Sequence, residues 1–296
     1  MMEKQLAELR LLASGAGNKI TETAIPRVAM VQGEIPEHRL AAVYEPMINL
    51  ILTGSKSMTV GDKTWQYNPA TYFVMSVALP AVGRIFADER TGAPYLAVSL
   101  TPKPEIVAEL LDGMQDSDKS CGYNAGFSVA PVTSELLDAW LRMLRLLKKP
   151  EEISALAPAY EREILFRVLQ GPQGWMLRDI SRPESHLSRI YGVINWLKVN
   201  YTQPVRVDEL AAIAALSVSA FHRHFQAITT LSPIQYQKRV RLMQARLRLV
   251  TTGDNITAIA HSVGYQSHTQ FSREYTRHFG LSPSSDLKKM LFSKNV

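Results

Sequence analysis

Read by its apolar and polar positions alone, the chain changes period twice. Leu6, Leu9, Leu11 and Leu12 predict a short opening helix, broken by Ser14-Gly15-Ala16-Gly17-Asn18. From Val28 to Leu100 the period is two. Met47–Thr53 is an apolar strand turned by Gly54, and Lys56–Val60 alternates with Met58 and Val60 on one face. Gly61-Asp62 turns again, Trp65 and Tyr67 share a face, and Tyr72–Val77 and Tyr95–Leu100 read as further strands. Five or more short strands with turn signals imply a small barrel or sandwich. Beyond a loop over 114–131 the period becomes helical. Leu136, Leu137, Trp140, Leu141, Leu144 and Leu147 form one stripe, ended by Lys148-Lys149-Pro150; Tyr160, Ile164, Leu165, Val168 and Leu169 form a second, ended by Gly171-Pro172. Two broad stripes beside a barrel predict packing on it and a dimer surface. Residues 171–185, rich in Gly, Pro and Ser, read as a linker, and Leu187, Ile190, Tyr191, Ile194 and Leu197 as the first helix of a second domain.

That second domain contains one pattern twice. Phe221, Arg223, Phe225 and Leu231-Ser232-Pro233 recur 50 residues later as Phe271, Arg273, Tyr275 and Leu281-Ser282-Pro283. Upstream, Val207, Leu210 and Ala211 match Ile256, Ile259 and Ala260 at an offset of 49, so the second copy has one extra residue in its turn. Such a period marks a duplicated supersecondary unit. Each copy reads as a helix-turn-helix. Phe221, Phe225 and Ile228 face inward on one second helix, leaving Ser219, His222, Arg223 and Gln226 outside. Phe271, Tyr275 and Phe279 do the same in the other copy, leaving His268, Thr269, Ser272 and Arg273 outside. Gly264 is placed to end the first helix of that copy with positive φ. A polar, Arg-bearing outer face on a buttressed helix suits the major groove, and Arg suits guanine.

The connector between the copies begins with the capping-box sequence Ser232-Pro233-Ile234-Gln235 and is stopped by Gly253. Tyr236, Val240, Met243, Leu247 and Val250 recur along it at +4 and +3. Lys238, Arg239, Arg241, Arg246 and Arg248 make it basic, a run that by itself reads as a solvated face.

These residues closely resemble the DNA-binding domain of the AraC/XylS family of bacterial transcription regulators. The resemblance covers about residues 187–296. It is carried by Val207-Asp208-Glu209-Leu210-Ala211, Ser217 through Phe225, Ser232 through Tyr236, and Gly264 through Pro283. It implies base contacts at Ser219, His222 and Arg223 in the first unit and at His268, Thr269 and Arg273 in the second. Two positions depart from the family pattern: Thr230 stands where Gly is common, and Asp286-Leu287 where Tyr-Arg is usual. The strand-rich half resembles the cupin-like sensor barrel found in many family members. The expected fold is therefore α+β, with a cupin-like β-barrel and flanking helices, then an all-α domain of two helix-turn-helix units joined by a long helix. Residues 1–180 form the effector-sensing and dimerisation domain, and 181–296 the DNA-binding domain.

Charge agrees with that division. Residues 187–296 hold 14 Lys and Arg against 5 Asp and Glu, net +9; the remaining 19 against 22 give −3, and together the stated +6. A basic domain on a slightly acidic partner points to nucleic acid for that domain alone. One cysteine, Cys121, excludes an intramolecular disulfide, and the absence of a signal-like or bilayer-length apolar run fits the cytoplasm and no membrane. Gly15-Ala16-Gly17 lacks a third glycine and a preceding strand, so it is no nucleotide fingerprint. His38 is the only histidine before His186, too few for a cupin metal centre, and His222 and His224 point apart on their helix. No catalytic set, metal site or cofactor motif is present, which predicts a binding protein rather than an enzyme. Tyr44, Trp65 and Tyr72 are the candidate lining of an effector pocket. The expected function is a sequence-specific transcription regulator under control of a small-molecule effector. The alternative is an architectural or non-specific DNA-binding protein. Expected partners are double-stranded DNA and a second copy bound through the N-terminal domain, with RNA polymerase a further candidate.

Overall fold

A computed structural model describes residues 2–15, 20–33, 40–69, 71–114 and 126–292. His38 and Cys121 lie outside the described residues. In chain order the first half contains α1 (Met2–Ala13), β1 (Ile20–Glu22), β2 (Val28–Gln32), β3 (Ala41–Tyr44), β4 (Met47–Thr53) and β5 (Ser55–Val60). There follow β6 (Lys63–Tyr67), β7 (Thr71–Met75), β8 (Leu79–Phe86), β9 (Leu96–Leu100), α2 (Pro104–Asp112), β10 (Phe127–Pro131), α3 (Ser134–Arg145), α4 (Ile153–Gln170) and α5 (Gly174–Ile180). The described strand pairs are antiparallel. A six-stranded sheet runs β1-β2-β9-β4-β7-β10 and a four-stranded sheet β3-β8-β5-β6. Together they form the expected barrel. Strand β10 falls inside the stretch the sequence reads as loop; it pairs with β7 over its whole length.

Alternation divides the larger sheet between two cores. Leu50, Leu52, Tyr72, Val74 and Val98 face the helices α1 to α5 in one apolar cluster. Ile51, Phe73, Met75 and Ala97 face the barrel interior with Met58, Val60, Tyr67 and Leu79 of the smaller sheet. Two expectations change here. Leu137 and Leu144 are wholly buried in the helix-side core, so the stripe on α3 is intramolecular packing and offers no dimer surface. The predicted linker contains α5, whose Met176 and Leu177 bury in the same core. Its Gly174 packs so close that a Cβ would lie 1.9 Å from the Leu169 carbonyl oxygen. Glycine and proline signalled a tight corner here, and the corner is followed by a docked helix.

The second half is helical: α6 (His186–Val199), α7 (Val207–Ile213), α8 (Val218–Thr229), α9 (Pro233–Thr251), α10 (Ile256–Ser262), α11 (His268–Phe279) and α12 (Pro283–Phe292). Its two units are not packed alike. The first shares one continuous apolar cluster with the barrel interior, running from Phe73 and Leu79 to Ile194, Phe221, Phe225 and Tyr236. The Tyr236 hydroxyl donates to the Ala78 carbonyl at 2.8 Å within this cluster. The second unit has its own core of Leu242, Ala245, Leu249, Ile259, Phe271 and Tyr275.

Candidate nucleic-acid interface and barrel interior

Both units place a second helix with its polar face outward. In α8, Phe221 and Phe225 are fully buried, while Ser219, Arg223 and Gln226 are exposed and His222 half-buried. In α11, Phe271 and Tyr275 are buried, while His268, Thr269 and Arg273 are exposed and Ser272 half-buried. The eight predicted contacts therefore divide into two like faces. The N-caps correspond as well: the Ser217 hydroxyl accepts from the Ala220 N–H and the Ser267 hydroxyl from the Gln270 N–H. Ser217 is the N-cap of α8, and Ser219 lies within its first turn.

The left-handed positions also match between the copies. Gly264 has φ 92°, as its place in the turn predicts, and its counterpart Ala215 has φ 50°. At the C-caps of the reading helices, Gly280 has φ 76° and Thr230 has φ 62°. A β-branched residue in that region is strained. Thr230 has a compensating bond, since its hydroxyl donates to the Val60 carbonyl of β5 at 2.9 Å.

The connector α9 forms its capping box in full and spans 19 residues. Leu247 of the predicted stripe is exposed, and the helix instead sends Tyr236 and Val240 to the first core and Leu242, Ala245 and Leu249 to the second. Four of the five cations in its basic run are bonded to other parts of the chain. Arg241 donates to the carbonyls of Tyr201, Gly264 and Gln203, Lys238 to the Glu274 carboxylate, Arg239 to the Gly61 carbonyl, and Arg246 to Asp286. These cations staple helices and strands together. Asp286 is 1% exposed and accepts from both Arg246 and the Tyr275 hydroxyl, so the departure at this position secures α12.

Inside the barrel, the Tyr44 ring lies beneath the Lys56 ammonium at 5.0 Å, and Trp65 packs on Phe127 with ring centres 5.1 Å apart. Tyr72 is on the other side of its sheet. Its hydroxyl donates to Gln173 Oε1 at 2.9 Å in the helix-side core, and the next residue, Phe73, is the one that faces inward. Tyr72 is thus separated from Tyr44 and Trp65 by the strand itself. Lys56 is missed when only aromatic residues are considered as lining, although period two already puts it on the face of Met58 and Val60.

Residues 24–176, just over half of the chain, match the family model for the AraC-type transcriptional regulator N-terminus, and residues 210–289 match a helix-turn-helix domain. The chain belongs to the AraC-type regulators. Among curated relatives of this regulator is the HTH-type transcriptional activator RhaS of Pectobacterium carotovorum, 33% identical over 105 residues, which are 36% of this chain and 37% of that one. RhaS of Yersinia pestis is 36% identical over 103 residues, 35% and 37% of the two chains. The matched segment is thus little more than a third of those relatives. Among solved structures, an apo form of ToxT from Vibrio cholerae, itself a point variant, superposes with a TM-score of 0.56 at 10% identity, over 91% of this regulator and 98% of ToxT. Wild-type ToxT bound to an unsaturated fatty acid superposes with a TM-score of 0.54 at 11% identity, over 88% and 94%. At such identity the likeness establishes the shared fold of barrel and helical half. Among the described residues of this regulator no cluster of His, Cys, Asp and Glu could hold a metal, and no helix is long and apolar enough to cross a membrane.

Proposed function

We propose that this chain is a sequence-specific DNA-binding transcription regulator whose N-terminal barrel takes a small-molecule effector. The observation that carries this reading is the pair of exposed arginines, Arg223 and Arg273, at the same place on two buttressed helices. Each can present a bidentate donor to guanine in successive major-groove segments. Ser219, His222 and Gln226 accompany the first, and His268, Thr269 and Ser272 the second. Binding-site selection from random duplexes tests the reading. Two recurring segments about 10 base pairs apart are expected; recovery of duplexes with no common sequence would leave only an architectural role.

Support for an effector comes from the barrel and from the neighbours' ligands. One ToxT structure is described as bound to an unsaturated fatty acid and another to a naphthalenyl butenoic acid. Tyr44 and Trp65 stay as candidate lining residues, and Tyr72 is set aside because it faces the helices. A domain boundary near residue 180, homodimerisation through the N-terminal domain, RNA polymerase as a further partner, a cytoplasmic location and a non-catalytic role complete the proposal. A fragment beginning near Arg182 should bind DNA without effector.

A further inference from the structure

Strand β5 carries a cation where its neighbours are apolar. Lys56 shares the inward face with Met58 and Val60 and is 7% exposed. No carboxylate among the described residues is bonded to it; the ammonium lies 5.0 Å from the centre of the Tyr44 ring and 5.9 Å from that of Phe73. Burial lowers its pKa to about 8, so the ammonium still prevails at neutral pH. A buried ammonium without a counter-charge is costly to hold. Directly across the strand pair stands Tyr67, whose buried hydroxyl has no hydrogen-bond partner among the described residues. Asn49 Oδ1 is likewise buried and unpartnered among them on β4, opposite Phe73. A cleft of about 490 Å³ opens onto Lys56 and Tyr67; Pro69 and Phe86 give it apolar walls, and Asp88, Glu89 and Arg90 also line it. The floor asks for one negative charge, and the rim, where Asp88 and Glu89 outnumber Arg90, offers no surplus of positive charge for a second.

We propose that this cleft receives a small organic monocarboxylate, its carboxylate on Lys56 and the Tyr67 hydroxyl and its apolar body along Pro69 and Phe86, and that β5 relays its arrival to the first reading helix. The proposal rests on the regulator reading for its purpose. The relay is short: the steps from Lys56 to Val60, at about 3.3 Å each, span roughly 13 Å. The Val60 carbonyl accepts the Thr230 hydroxyl at the end of α8, and the next carbonyl, that of Gly61, accepts Arg239 at 3.4 Å. A Cβ on Gly61 would lie 2.2 Å from Thr230 Oγ1, so the joint has no slack in which a shift of β5 could be absorbed. Gln226, one of the predicted DNA contacts, lines the same junction with Asp62 and Lys63.

The test uses the full-length protein, with acetate, hexanoate, benzoate and phenylacetate as probes and the matching amides as neutral controls. Calorimetric titration and melting temperature report binding, and operator affinity reports the relay. At least one carboxylate should bind and raise the melting temperature while its amide does not. Lys56→Met should fold, because it replaces a buried charge by a side chain of similar length, and should weaken that binding about tenfold or more. Tyr67→Phe should weaken it less. The bound carboxylate should change operator affinity by roughly fivefold or more in the native protein. Thr230→Gly should still bind it and lose that response. If no carboxylate binds better than its amide, or if Lys56→Met binds equally well, the receptor is overturned. Equal responses in native protein and Thr230→Gly overturn the relay. Failure to bind any DNA sequence selectively would overturn the regulator reading instead, whatever the carboxylates do.

Discussion

The Arg246 guanidinium meets the buried Asp286 carboxylate through two parallel hydrogen bonds, Nε to Oδ2 at 2.9 Å and Nη2 to Oδ1 at 3.1 Å. The same carboxylate accepts from the Tyr275 hydroxyl at 2.7 Å, so one side chain of α12 holds both the connector and the second reading helix. Removing one partner of such a pair leaves an uncompensated charge in the core. Asp286→Ala is expected to cost about 3–5 kcal/mol of stability in the second unit. Urea denaturation followed by near-ultraviolet dichroism measures it. A loss no larger than that of an exposed pair, about 0–1 kcal/mol, would show that Arg246 finds water or another acceptor.

Because both units are braced, Arg223 and Arg273 should matter equally. Each Ala substitution is expected to cost about 1–3 kcal/mol on the selected operator and little on random duplex. Each should relax base preference in its own segment only. Were either arginine a phosphate contact, affinity would instead fall on all sequences and the salt slope by about one unit. Repeating the site selection with each variant separates the two outcomes.

Leu137 tests the packing of the barrel's helical side. It is fully buried in the helix-side core, on a helix packed against α1 and α4, so Leu137→Ala should cost about 2–5 kcal/mol and leave the oligomeric state of the folded fraction unchanged. Sedimentation alongside denaturation checks both halves of the statement. A variant of native stability that sediments as a smaller species would return the residue to an interface.

His278 gives the second unit a pH dependence. Burial, with the nearby Arg239 and Arg246, lowers its pKa from 6.5 to about 4, and its Nε2 has no hydrogen-bond partner among the described residues. The folded chain keeps the ring neutral, whereas the unfolded chain takes up a proton below 6.5. Its contribution is therefore fully present above pH 6.5, declines as the pH falls, and is lost by about pH 4. Denaturation midpoints across that range should fall less steeply in His278→Gln. Parallel curves for the two proteins would assign the acid sensitivity to the carboxylates.

Much of this was legible in the sequence, for reasons that name its blind spots. The reading faces are set by spacing within single helices, so Phe221 and Arg223 disclose their directions without any partner. Gly264 discloses a backbone angle for the same reason. Tyr72, Leu137 and the connector arginines are different. Each is compatible with either of two surroundings, and only the tertiary partner decides between them: the helices behind the sheet for Tyr72, Gln173 for its hydroxyl, Asp286 for Arg246. Aromatic residues are the natural candidates for a barrel lining, whereas the informative side chain there is Lys56, a lysine on an inward face. Its alternation with Met58 and Val60 was the available signal.

The caps of the two reading helices differ in a way that bears on how control could arise in a duplicated protein. Gly280 adopts its left-handed angle without strain and has open space where a Cβ would be, whereas Thr230 adopts nearly the same angle under strain and reaches into another domain. One copy thus keeps the unburdened cap. The other holds its contact with the β5 turn from a backbone conformation that is itself strained. The duplication has thus left the strained cap at the seam with the barrel, where residue 230 and the turn it touches can be altered without rewriting the outward polar face of either helix.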